Sequence, residues 1–161
     1  MRSDDRGFSL IELLIVVAVI LVIAAIAIPN FLRSRVAANQ ASAIESLRVI
    51  GTAEVTYSVT YGGSYSSTLA QLGPVPSGNP PNSAAAGLID ETLTGGTKSG
   101  YVFLYSAGPM DTSGKINSYD LWANPSNFSV TGNVYYYTDQ SHVIRGNSST
   151  VASSTDSAVA N

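Results

Sequence analysis

The sequence predicts an α+β fold: a long N-terminal helix, membrane-spanning in its first half, packed on a small antiparallel β-sheet of about four strands. Three features predict it. From Phe8 to Ile28 only Ser9 and Glu12 interrupt an apolar run. From Asn30 to about Ser58, apolar residues recur at helical spacing. Beyond residue 100, four short segments rich in aromatic and β-branched residues alternate with turn residues.

A helix over the 21 residues Phe8–Ile28 rises roughly 31 Å, the hydrocarbon thickness of a bilayer. A carboxylate in such a span costs about 2.5 to 3.5 kcal/mol at its centre and less near its end. Two local readings account for parts of this segment. Ser9-Leu10-Ile11-Glu12 fits the S-x-x-E capping box, with Glu12 reaching back to the N–H of the capping residue. Alternatively, Arg2 and Arg6 before an apolar core, with Ala25-Ile26-Ala27 as a cleavage site, form a secretory signal that releases residues 28–161 as a soluble domain.

Gly7-Phe8-Ser9-Leu10-Ile11-Glu12, after a short charged leader and before a long apolar helix, resembles the N-terminal signature of type IV pilins and type II secretion pseudopilins. The resemblance implies a prepilin leader over residues 1–7, cleavage after Gly7 by a prepilin peptidase on the cytoplasmic side, and methylation of Phe8. Glu12 then stands fifth in the mature chain, where the family glutamate sits, and Pro29 matches a proline common in the family. It further implies self-association into a helical homopolymer, in which the Phe8 amine of one subunit meets Glu12 of another displaced along the filament axis. Opposite charges in a low-dielectric bundle attract strongly, and leaving either unpaired is expensive, so such a pair specifies axial register. Arginine counts are equal on the two sides of the span, Arg2 and Arg6 against Arg33 and Arg35. Orientation with the N-terminus inside therefore follows from the resemblance and not from charge.

Residues 8–29 are the transmembrane and assembly half of the helix, and residues 30–60 the amphipathic half. In the latter, Ala37, Ala41, Ile44, Leu47, Gly51, Val55 and Val59 form one stripe, expected to face the globular domain. Ala38, Ser42, Ser46, Val49 and Ala53 form the opposite side, small enough for another helix to approach. Pro29 removes one helical hydrogen bond and its ring meets the carbonyl of Ala25, which predicts a kink or a loosened segment. Gly62-Gly63 stops the helix.

Residues 61–100 read as a connection. Ser67–Gly73 suggests one helical turn, and Ala84–Leu93 a short helix. Pro74, Pro76, Pro80 and Pro81, with six glycines between residues 73 and 100, make the rest irregular. Strand candidates within the sheet region 101–146 are Tyr101–Ala107, Asn117–Ala123, Asn133–Thr138 and His142–Arg145, joined as an antiparallel meander. Residues 147–161, NSSTVASSTDSAVAN, read as a flexible Ser-rich tail.

About 130 residues beyond the span suit one globular domain. A net charge of −3 and the absence of a long basic run argue against a dedicated nucleic-acid site. With no cysteine there is no disulfide, thiolate metal site or thiol nucleophile, so the C-terminal region must be held by packing, hydrogen bonds or an ion. Gly108–Lys115 lacks the spacing of a phosphate loop. A single histidine, His142, excludes multi-histidine metal sites, and a triad with Asp139 has no identifiable serine. Asp111, Asp120 and Asp139 are calcium candidates without EF-hand spacing; solvated turn carboxylates are the simpler reading. No catalytic set, metal site or cofactor is expected.

The function expected is structural. The resemblance implies a type IV pilus subunit, held in the bacterial inner membrane as a precursor and carried into an extracellular filament by the inner-membrane assembly machinery. Adhesion, motility and DNA uptake are the roles such filaments serve. The alternatives are a type II secretion pseudopilin and a secreted or anchored binding module.

Overall fold

The computed structural model describes residues 8–159. The leader, with Gly7, and the last two residues lie outside the described residues. The chain divides into two units at Arg35 and Val36. Helix α1, Leu10–Thr60, contributes to both.

Helix α1 begins at Ser9, whose carbonyl accepts the first helical bond from the Leu13 N–H. The helix continues through Pro29. It ends in a Schellman motif: Gly62 adopts φ 89° and the Gly63 N–H bonds the Ser58 carbonyl at 2.7 Å. A side chain at Gly62 would be strained in that left-handed conformation.

In the second unit, α1 buries Ala43, Leu47, Ile50, Glu54 and Tyr57, spaced alternately four and three apart, with Ser46, Gly51 and Ala53 beside them. This corrects the expected stripe. Val59 is 81% exposed and Val55 is also exposed, whereas Ser46 and Ala53, assigned to the outer side, face the core. The true stripe runs through a glutamate, which a search for apolar residues passes over.

Two short helices follow, α2 at Leu69–Leu72 and α3 at Glu91–Thr94. The connection around them is tied by backbone bonds: Ala86 N–H to Gln71 O, and the Leu88 and Ile89 N–H groups to Leu72 O. The helix expected over Ala84–Leu93 shrinks to α3. Gly87 takes φ 67°, which no helix accommodates, and Asp90 caps α3 by accepting the Leu93 N–H at 2.7 Å.

The sheet is an antiparallel meander of five strands in chain order: β1 Thr97–Lys98, β2 Tyr101–Ala107, β3 Tyr119–Pro125, β4 Tyr135–Asp139 and β5 Arg145–Asn147. The fifth strand is β1, formed by two residues inside the expected connection. Ser99 (φ 50°) and Gly100 (φ 73°) make the two-residue, double-positive turn that matches strand twist, so Lys98 pairs Tyr101. β2 pairs β3 along its whole length, from Tyr101↔Pro125 to Ala107↔Tyr119. β5 starts later than expected because His142 lies in the left-handed region (φ 59°) and belongs to the turn after β4.

Tyr101, Phe103, Tyr119, Leu121, Ala123 and Tyr136 point inward and join the α1 stripe in one core. Their hydroxyls fare differently. Tyr101 donates to the Val134 carbonyl at 2.9 Å, whereas Tyr119 OH has no hydrogen-bond partner among the described residues. Tyr101→Phe therefore costs about 1 kcal/mol, while Tyr119→Phe is neutral or stabilising. Chemical denaturation of the two variants, compared at equal m-value, checks this contrast.

Residues 148–159 are not a free tail. Trp122 Nε1–H, on the outer face of β3, donates to the Ala152 carbonyl at 3.1 Å, and Ala152 is buried. The chain then returns to run beside β5, with Gly146 N–H bonding Ser157 O and Val159 N–H bonding Ile144 O. Tyr137, in register with Trp122 on that outer face, is only 4% exposed. Asp156 closes the loop: its carboxylate accepts from Ser153 N–H and the Asn147 amide, and its carbonyl accepts from Arg145. A Ser-rich composition suggests flexibility, but here short polar side chains supply the bonds a disulfide would otherwise replace. The Ser153 N–H, and then the Asn147 amide, hold the Asp156 carboxyl below its ordinary value of 3.8. A depressed carboxylate stabilises above that value, and the contribution fades as pH falls through the lower folded-state value. Acidification and Asp156→Ala should both lower the amide-exchange protection of residues 148–159, measured against the intrinsic rate at the same pH, before that of the rest of the sheet.

Candidate functional site

The N-terminal unit is built for contacts the isolated chain does not make. From Leu10 to Leu32 every leucine, isoleucine and valine of α1 is exposed, and Phe8 is 81% exposed. No residue in the most apolar stretch of α1 is buried within the chain. An exposed apolar face of this extent requires lipid or other protein.

Within that unit the Ser9 N–H donates to Glu12 Oε2 at 2.9 Å. This is one half of the capping box: the carboxylate satisfies an orphan donor of the first turn and lies at the end of the helix favourable to negative charge. The bond gives Glu12 a polar partner in the separate chain. Pro29, seventeen residues further on, sits in α1 with an exposed surface. Gly7 lies outside the described residues.

The second unit carries a polar latch that sequence reading missed. Glu54, 0% exposed, accepts from Ser66 N–H at 3.0 Å and from Ser66 Oγ at 2.5 Å. Tyr105 OH donates to the Ser66 carbonyl at 2.8 Å. One glutamate thus ties α1 to the segment after it and, through Ser66, to β2. Burial, then the Glu54 charge, pushes the Tyr105 hydroxyl well above its ordinary range. The legible signal was the alternating four-three spacing that places Glu54 among core residues.

The three aspartates do not come together. Asp120 and Asp139 are cross-strand partners, and Tyr137 OH reaches both, at 2.5 and 3.3 Å. Burial first, then the bond to Asp120, keeps the Tyr137 hydroxyl protonated beyond its ordinary range, so it serves as donor between two like charges. Asp111 closes its own turn by accepting from Ser113 N–H, Lys115 N–H and the Asn117 amide. His142 lies against Gly51 of α1.

Residues 2–28 match the prokaryotic N-terminal methylation motif. A stretch of 53 residues is 47% identical to the type IV major pilin protein PilA of Myxococcus xanthus (strain DK1622). That alignment takes in 33% of this chain and 24% of the pilin, so the match spans about a quarter of the relative's length. The methylation motif and the similarity to a major pilin both fall on the part of the chain that holds the long N-terminal helix, so in that part the chain is similar to a type IV pilin.

Proposed function

We propose that this chain is a structural subunit of a type IV pilus, cleaved after Gly7 by a prepilin peptidase and polymerised through its N-terminal helix into a surface filament. The observation that carries this reading is the apolar half of α1, exposed around its whole circumference. Such a segment suits lipid before assembly and a bundle of like helices after it. Cleavage leaves a cationic amine on Phe8, and Glu12 is the one carboxylate in the span able to receive it from a neighbouring copy. To do so Glu12 gives up the neutral Ser9 N–H donor and takes the cationic amine in its place. Pro29 marks where the helix loosens when subunits pack. The partners are other copies, the prepilin peptidase and the inner-membrane assembly machinery, and the protein passes from inner membrane to extracellular filament.

The test combines N-terminal mass analysis with electron microscopy. A methylated Phe8 and long surface filaments lost on deletion are expected; a mature chain beginning at Ile28 overturns the reading. Glu12→Ala should still insert and be cleaved, but filament yield should fall at least tenfold, the effect of about 1.4 kcal/mol per subunit contact. Normal yield would remove the register role.

A further inference from the structure

We propose that, before assembly, the loop between β3 and β4 docks on the bilayer surface through Phe128 and Val130. This docking rests on the reading that the apolar half of α1 is held in lipid at that stage.

Within the second unit, β2 runs alongside α1. Its start lies at the first turns of that unit's helix, where a β-carbon at Gly100 would stand 3.3 Å from Asn39 Nδ2. Further along, the Tyr105 hydroxyl meets Ser66, the partner of Glu54. Pro125 ends β3 opposite Tyr101, so residues 126–132 continue past the sheet at its Asn39 end. Two bonds hold the loop there: Asn39 Nδ2 donates to the Thr131 carbonyl at 2.9 Å, and Gln40 Nε2 donates to Asn133 Oδ1. Along α1, Asn39 follows Leu32, the last exposed leucine of the apolar stretch, by seven residues. Seven residues are roughly 10 Å of helix, and the polar layer of a bilayer is roughly 5 to 8 Å deep on each side. A loop projecting from Asn39 toward the span is therefore at headgroup level.

The loop is suited to that layer. Phe128 is 40% exposed and Val130 62%, and residues 126–132 carry no charged side chain whose desolvation would oppose entry. The Phe128 ring stacks on Tyr135, with centroids 5.4 Å apart. Tyrosine is a residue enriched where membrane meets water, because its ring is apolar and its hydroxyl polar. The tip also satisfies its own backbone donors: the Ser129 N–H bonds the Gly132 carbonyl, and the Val130 and Thr131 N–H groups bond the Asn127 carbonyl. Backbone donors paired in this way cost little to bring into a poorly hydrated layer. Exposed apolar residues scattered singly need no partner, but these two share one rigid, uncharged tip beside the span, which selects lipid.

The chain has no cysteine, so one introduced cysteine carries a nitroxide at a single known place. The full chain is reconstituted in vesicles of phosphatidylcholine and phosphatidylglycerol as Val19→Cys, Val130→Cys or Ser113→Cys, all exposed positions. Val19 lies in the span, and Ser113 in the turn before β3, close to where the Ile116 N–H bonds Ser64 beyond the far end of α1. Electron paramagnetic resonance then compares access of oxygen, which enters lipid, with access of a water-soluble nickel chelate. The oxygen-to-nickel ratio at Val130→Cys is expected to be several-fold above that at Ser113→Cys, and to fall toward it when Phe128→Ser is added. A ratio at Val130→Cys equal to that at Ser113→Cys, with Val19→Cys in lipid, overturns the docking alone. So does a high ratio that Phe128→Ser leaves unchanged, since the label itself would then be entering the bilayer. Free nickel access at Val19→Cys removes the membrane reading of the span, and the docking with it.

Discussion

Glu54→Ala is expected to destabilise the second unit by about 3 kcal/mol, lowering its thermal midpoint by roughly 10 °C. The loss has two sources. Ser66 is fully buried, so its N–H and hydroxyl lose their acceptor where water does not replace it. An unsatisfied buried donor costs about 1 to 3 kcal/mol, and the vacated side-chain volume adds a cavity term. Glu54→Gln keeps the shape and one acceptor oxygen but loses the charge that strengthens the bonds, so it should fall between parent and alanine. Thermal unfolding followed by near-ultraviolet dichroism of the aromatic core reads both. An unchanged midpoint in Glu54→Ala would show that the carboxylate does not hold α1 to the Ser66 segment.

Alkaline solution should unfold this protein steeply. Burial raises the hydroxyls of Tyr101 and Tyr119 well above the ordinary value of 10.0, and Tyr57, Tyr105, Tyr136 and Tyr137 are raised in the same direction. Below pH 10 the tyrosines are neutral in both states and their contribution to stability is complete. Above it the unfolded chain releases protons while the folded chain retains them, so stability falls until the folded values are passed. Each such tyrosine removes about 1.4 kcal/mol per pH unit, and Tyr101 and Tyr119 together about 3. At that slope a domain at the lower end of the typical range, about 5 kcal/mol, opens roughly two pH units above 10. Tyrosinate absorbance and far-ultraviolet dichroism should then change together. Titration of all nine tyrosines near pH 10 with helix and sheet intact would contradict the burial of this set.

The residues proposed for processing and assembly, Gly7, Phe8, Glu12 and Pro29, rest on local signals. They are picked out by neighbours a few residues away and by the apolar run around them, and the structure adds the Ser9–Glu12 bond and the exposure of the span. The four-three spacing marks Glu54 as a core position, but its partner was not legible. Nothing near Glu54 in the chain announces that Ser66 will meet it, and a glutamate on a helix is ordinarily read as solvent-facing.

The α+β class, the long helix and its glycine stop, the meander and the N-terminal methylation motif are all written in the sequence. Periodicity, turn chemistry and the N-terminal motif act over a few residues and need no partner from elsewhere. Tertiary structure alone decided which face of α1 is buried, that β1 exists, and that residues 148–159 lie against Trp122 and β5. Each depends on pairing across many residues: Glu54 with Ser66, Lys98 with Tyr101 across a turn too short to announce a strand, and Trp122 with Ala152. Buried polar groups must find partners wherever the fold brings them, so hydrogen bonding completed what hydrophobic pattern had only outlined.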